Sequence, residues 1–149
     1  MGQPAIDSIR IAANGLDFDV AACGDGPRLA LCLHGFPECN YSWRHQLPVL
    51  ARMGYTAWAP NLRGYGSTSR PGRVRDYRMR HLVDDVAGLI DASGADQTLL
   101  IGCILLFNNA GHVAMFIANN SPVSEWIGWL GSENCNIRLC LPVFINQAS

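Results

Sequence analysis

The chain contains no lysine. All eleven basic residues are arginine, set against twelve acidic ones, for a net charge of −1 at pH 7. With so balanced a charge no basic patch is expected to neutralise phosphates, so nothing in the sequence argues for nucleic acid or for an anionic membrane surface, and neither is expected as a partner. Most of the arginines fall between Arg44 and Arg80, interleaved with turn residues and a helical pattern, and read as a solvated surface. Long apolar runs are missing too: nothing approaches the ~18 uninterrupted apolar residues of a spanning helix. The opening Met-Gly-Gln-Pro-Ala-Ile lacks the basic and apolar regions of a secretory signal, and Ile6 stands where a myristoylation signal needs Ser or Thr. The six cysteines, Cys23, Cys32, Cys39, Cys103, Cys135 and Cys140, form no Cys-x-x-Cys pair. Without an export signal they read as free thiols in a reducing, cytoplasmic setting rather than as disulfides or zinc ligands. No residue pattern calls for a metal or an organic cofactor.

What is present is a chain of 149 residues, long enough for one domain with a real core. Its centre of organisation is Arg28-Leu-Ala-Leu-Cys-Leu-His34-Gly35-Phe36-Pro37-Glu38. Residues 29–33 are apolar without a break and are followed at once by His-Gly, an aromatic residue and a proline. Such a run predicts a central strand buried on both faces. The turn after it lies at the strand's carboxyl end, where open α/β sheets place their chemistry.

Before it, residues 9–13 and 16–23 predict two strands joined at Asn14-Gly15, both of which accept positive φ. After it, Trp43, Leu47, Leu50 and Met53 recur at helical spacing, with Pro48 predicting an irregular first turn and a helix proper from about residue 48. Residues 55–59 predict a strand, and residues 60–72 a Gly- and Ser-rich loop of the kind that rims active sites. Asp76 is a candidate cap for a helix whose apolar stripe is Met79, Leu82, Val83, Val86 and Ile90, with Asp84, Asp85 and Asp91 on its wet side and Gly94 at its end. Residues 98–102 predict another buried strand. Strand, helix, strand, helix, strand in alternation predicts an α/β fold with a mostly parallel sheet, its first strands antiparallel, and helices on both faces.

After Gly102 the composition changes. Residues 1–102 hold ten Arg and three Asn; residues 103–149 hold one Arg, seven Asn and no Asp. The βα rhythm does not continue. Trp126, Trp129 and Leu130 fit one short helical face, and residues 139–145 fit a strand weakened by Pro142.

Four motifs occur in order: His34-Gly35-Phe36-Pro37-Glu38; Ser42-Trp43-Arg44-x-Gln46-x-Pro48; Gly54-Tyr55; and Ala59-Pro60-Asn61-Leu62-Arg63-Gly64-Tyr65-Gly66-Ser67. Together they resemble the epoxide hydrolases of the α/β-hydrolase superfamily, over about residues 9–102. Fluoroacetate-type dehalogenases share the His-Gly-Phe-Pro form and stay open as an alternative branch. The resemblance implies a small apolar epoxide as substrate, no cofactor, and ring opening by an Asp carboxylate whose ester water then splits. Splitting that ester builds an oxyanion that needs fixed N–H donors. The Phe36 backbone N–H is the natural first donor, with Gly35 allowing the sharp turn and Pro37 fixing the chain beyond it. His34 is expected to brace the turn by a hydrogen bond rather than to move protons. Gly64-Tyr65-Gly66 lacks the third glycine and helix start of a dinucleotide loop, and Tyr65 is expected to pack at the rim.

The resemblance also implies a nucleophile elbow directly after residues 100–102, close to Gly-His-Asp-Trp-Gly-Gly. Here the residues are Gly102-Cys103-Ile104-Leu105-Leu106-Phe107. Ile104, in the nucleophile's place, has no nucleophilic atom, and its β-branch resists a strained turn. Cys103 is one residue early. His112 has no matching acid at a recognisable position and reads as structural. The cap tyrosines and the late His and acid of the family are not found. The expected organisation is therefore a partial, truncated hydrolase core over residues 1–102 and an atypical tail over 103–149, out of frame or foreign, with the later strands gone and residues 98–102 left as an apolar edge. The expected function is hydrolytic by descent and inactive alone. The alternatives are a non-catalytic interaction module and an active hydrolase with an unrecognised nucleophile.

Overall fold

Asn14 and Gly15, at φ 48° and 71°, give the first hairpin the twist that two-residue turns require. The computed structural model describes residue 2, residues 4–104 and residues 112–119. The hairpin joins β1 (Asp7–Ala13) to β2 (Leu16–Cys23), antiparallel as expected. β2 pairs antiparallel with β4 (Tyr55–Pro60), and β3 (Arg28–Leu33) lies parallel between β4 and β5 (Gln97–Ile104). β6 (His112–Asn119) closes the order β1-β2-β4-β3-β5-β6. The sheet is thus mixed, with its parallel part at the centre.

The central position of β3 dictates where the helices go. The crossover through α1 (Gln46–Arg52) leads from β3 to β4 on one side, and the crossover through α2 (Met79–Ser93) returns past β3 to β5 on the other. Right-handed connections running in opposite directions put their helices on opposite faces. The side chains sort accordingly. Leu29 and Leu31 join Phe18, Val20, Trp58 and Leu89 under α2, whereas Ala30 and Cys32 join Ala57, Ala59, Trp43, Leu47 and Leu50 under α1. Every one of residues 29–32 is fully buried, which is the unbroken apolar run seen in the sequence. Truncating Leu29 or Leu31 to alanine costs about 2–5 kcal/mol at such sites.

Several local expectations are corrected. α1 begins at Gln46, with Pro48 in its first turn, where a missing N–H leaves no bond unmade. Met53 is 60 % exposed, because the chain has left the helix there. Asp76 does not cap α2: it lies in a 3-10 turn over Val74–Tyr77, and Arg78 holds the N-cap position. The buried anchor of α2 is Leu89 rather than Met79, which is 69 % exposed. Gly94 ends the helix at φ 65° as expected.

β5 is longer than expected and continues through Cys103 and Ile104. β6 pairs along it antiparallel from Gln97↔Asn119 to Ile104↔His112, so residues 98–102 are an inner strand rather than an edge. The expected helical face at Trp126, Trp129 and Leu130 and the expected strand at 139–145 lie outside the described residues. Among the described residues no helix is long and apolar enough to cross a membrane.

Candidate functional site

β3 has β4 on one side and β5 on the other, so the crevice beyond its carboxyl end is the point where the connections diverge. That is where sheets of this kind bind and act on ligands. His34-Gly35-Phe36-Pro37 occupies this point. Its turn is closed by the Glu38 N–H, which donates to the Gly35 carbonyl at 2.9 Å. The Phe36–Pro37 peptide bond is cis, and the Phe36 ring is exposed. On the neighbouring strand, Gly102 is the register partner of Leu33. Cys103 and Ile104, which continue β5 past Gly102, therefore follow on beside the start of the turn.

His34 is buried and both ring nitrogens are occupied. The Leu62 N–H donates to Nε2 at 3.0 Å, so the proton sits on Nδ1, which donates to the Gly35 carbonyl at 3.1 Å. Tyr65 meets the imidazole edge-on, with ring centroids 4.7 Å apart. Burial holds the His34 pKa below its ordinary value, against smaller opposing effects from the Gly35 bond and the Glu38 charge. A neutral imidazole with both nitrogens engaged is a tie between the turn after β3 and the loop after β4.

That loop is fixed from three sides. Asn61 donates through Nδ2 to Asp19 at 3.0 Å and accepts from the Asn40 N–H at 2.9 Å. Along β2, Thr68 Oγ1 accepts from the Asp19 N–H and Ser69 Oγ from the Asp17 N–H, both at 3.0 Å. Gly66, at φ 51°, sits so close to the Asn61 amide that a Cβ there would collide with it.

The third anchor was not legible in advance. Arg63 and Asp85 are 5 % and 1 % exposed and form a forked ion pair, Nε to Oδ2 and a terminal nitrogen to Oδ1, each 2.6 Å. Arg63 also donates to the carbonyls of Asp76 and His81, and Asn14 Nδ2 donates to Asp85 Oδ1 at 2.8 Å. The hydrogen bond to Asp85 raises the Arg63 pKa further above its ordinary value. Asp85 thus faces inward, contrary to the expectation of a wet helix face, and Arg63 does not belong to the solvated arginines. The reason is geometric: Asp85 stands one turn before Leu89, on the face α2 turns to the sheet. The available signal was Arg63 inside Asn-Leu-Arg-Gly, an arginine placed directly after a buried strand.

No group of three or more potential metal ligands exists among the described residues. Among the described residues the His34 ring is fully engaged in holding the turn, and Ile104, on the strand beside it, is a hydrocarbon with no nucleophilic atom.

A family description of the alpha/beta hydrolase fold matches residues 30–103. The chain is 50 % identical over 97 residues to Epoxide hydrolase 1 of Siraitia grosvenorii, covering 65 % of this chain and 31 % of that protein. It is 49 % identical over 110 residues to Epoxide hydrolase B of Mycobacterium tuberculosis, covering 74 % of this chain and 27 % of that one. Among solved structures, an epoxide hydrolase from Vigna radiata superposes with a TM-score of 0.62 at 46 % identity, over 66 % of this chain and 32 % of that one. The chain spans about a third or less of the length of these relatives.

Proposed function

Because residues 9–102 carry a partial α/β-hydrolase fold of the epoxide-hydrolase-like branch, we propose that this chain keeps the oxyanion half of an epoxide-opening site, has lost the ester-forming half, and does not open epoxides by itself. In the complete reaction a carboxylate oxygen attacks a ring carbon, the carbon–oxygen bond breaks, and the alkoxide takes a proton. Water then adds to the ester carbonyl, and the oxyanion is held by N–H donors before the diol leaves. In this reading Phe36 supplies one such donor, and Gly35, Pro37 and His34 set the geometry of the turn that aims it. The substrate class of the parent reaction is a small apolar epoxide.

The observation that carries the reading is β5 itself. It runs through Gln97–Ile104 without a turn, and the residue two beyond Gly102 is isoleucine. At that position, among the described residues, the chain has neither a nucleophilic atom nor a bent backbone to present one. The coincidence of this break with the change in composition supports a division into a hydrolase core, 1–102, and a tail, 103–149, of other origin.

Incubating the purified chain with an aryl epoxide and measuring diol tests the first part. The expected rate equals that of buffer, for the parent chain and for Cys103→Ala alike. Diol formation that follows the protein through purification and is lost in Cys103→Ala would establish an unrecognised nucleophile and end this reading. Translating the coding DNA after codon 102 in the other two frames tests the second part. A His-Asp-x-Gly-Gly stretch in either frame is the expected outcome of a frameshift, and its absence from both excludes one. A non-catalytic module is favoured by the two filled cores about β3, and a single cooperative melt is its requirement.

A further inference from the structure

Charge averaged over the chain conceals one segment. Residues 70–80 contain Arg70, Arg73, Arg75, Arg78 and Arg80 against a single acid, Asp76, a formal +4, while the rest of the chain carries six basic against eleven acidic groups, a formal −5. All five arginines are exposed. The one ion pair among the described residues is Arg63–Asp85, so none of the five has a carboxylate partner there. Val74 and Met79, in the same stretch, are 92 % and 69 % exposed.

The stretch is held in shape from beneath. Buried Arg63 bonds to the Asp76 carbonyl, and the Tyr77 hydroxyl donates to the Pro71 carbonyl at 2.9 Å. It is also kept against local preference. Arg78 and Arg80 stand at the N-cap and in the first turn of α2, where the helix dipole disfavours cations, and no side chain caps the helix. Among the described residues these arginines meet only neutral groups, Arg70 the Gly66 carbonyl and Arg80 the His81 ring, and a rule broken locally without a compensating charge marks a candidate functional surface.

We propose that the 70–80 turn docks on an anionic lipid headgroup layer, with the arginines on the phosphates and carboxylates and with Val74 and Met79 entering the boundary below them. Single-stranded nucleic acid fits less well. It is gripped by bases stacking on successive aromatic rings, and this stretch offers a single ring, Tyr77, only 39 % exposed, with its hydroxyl tied to Pro71 and one edge against Gly64. This proposal is independent of the hydrolase reading.

Flotation of the full chain with vesicles is the test, since aggregates sink while vesicles rise. The expected result is recovery with phosphatidylcholine vesicles containing about 30 % phosphatidylserine, none with phosphatidylcholine alone, and loss as salt is raised from about 50 to about 300 mM. Arg75→Gln with Arg78→Gln should weaken partitioning about 25-fold, at roughly fivefold for each arginine. Arg44→Gln with Arg52→Gln, the same change in net charge placed elsewhere on the surface, should leave it within about twofold. Val74→Ser with Met79→Ser should weaken partitioning without altering its salt dependence. Equal flotation with neutral vesicles, or equal loss in the two arginine pairs, overturns the proposal. So does tighter binding to polyglutamate or to an oligonucleotide than to the anionic vesicles.

Discussion

Replacing Asp85 by alanine removes the carboxylate that Arg63 grips through two 2.6 Å bonds, and with it the acceptor of the Asn14 amide. The guanidinium left behind is 5 % exposed, and its remaining partners are the carbonyls of Asp76 and His81, which carry no neutralising charge. Breaking a buried pair by taking one partner costs about 3–5 kcal/mol, far more than the pair contributes relative to apolar residues of similar shape. A domain of this size has roughly 5–15 kcal/mol in all. The substitution should therefore remove about a fifth of the stability at the least and all of it at the most. Urea unfolding followed by far-UV circular dichroism, with tryptophan fluorescence as a second probe, is the assay. At a slope of about 1–3 kcal/mol per molar urea, the midpoint should fall by about 1–5 M, or the chain should be unfolded at the start. Arg63→Met combined with Asp85→Leu should cost less than Asp85→Ala alone, because no uncompensated charge remains. A midpoint shift below about 0.5 M for Asp85→Ala, or a double variant as damaging as the two single ones summed, would refute the argument.

Three further outcomes are expected. Because burial holds the His34 pKa below its ordinary 6.5, the unfolded chain binds the proton more readily; the stabilisation is complete above about pH 6.5 and is lost as pH falls below it. Urea midpoints measured between about pH 7.5 and 5.5 should decline, and His34→Gln should flatten that slope. Gly26→Ala should destabilise more than Gly72→Ala, by about 2 kcal/mol or more, since a Cβ at Gly26 would strike the Gly54 carbonyl whereas one at Gly72 meets nothing; comparison of their thermal midpoints decides it. The Cys32 thiol, fully buried and with its pKa pushed up to about 12, should stay unmodified by iodoacetamide at about pH 8, while the partly exposed Cys39 reacts; peptide mass mapping of the folded chain reads both.

The sheet was legible because its signals are local. Asn14-Gly15, the unbroken run at residues 29–33, Gly94 and the spacing of Leu47 and Leu50 each fix a backbone conformation or a buried side chain without help from distant residues. The turn at His34-Gly35-Phe36-Pro37 was legible as a motif, and its place at the divergence of the crossovers followed from strand order. What escaped was polar and long-range. Asp85 looked like one more acid on a helix, because nothing near it in sequence says that Arg63 arrives from a loop 22 residues away. Met79 was counted as core by its period alone, but the helix has only just begun there and overhangs the sheet. The length of β5 was missed because the motif it replaces predicts a turn at Gly102, whereas the residues present, Cys103 and Ile104, suit an extended chain.

On the function proposed above, that extension bears on any attempt to restore an ester-forming carboxylate. Residues 102–104 are ladder-paired with 112–114, so an aspartate written in at 104 would be one rung of a hydrogen-bonded ribbon, not the apex of a bend. Resurrecting chemistry here is a matter of re-cutting the main chain, with glycines to let it double back and a helix to receive it. Swapping a single letter would change the side chain and leave the scaffold deaf to it.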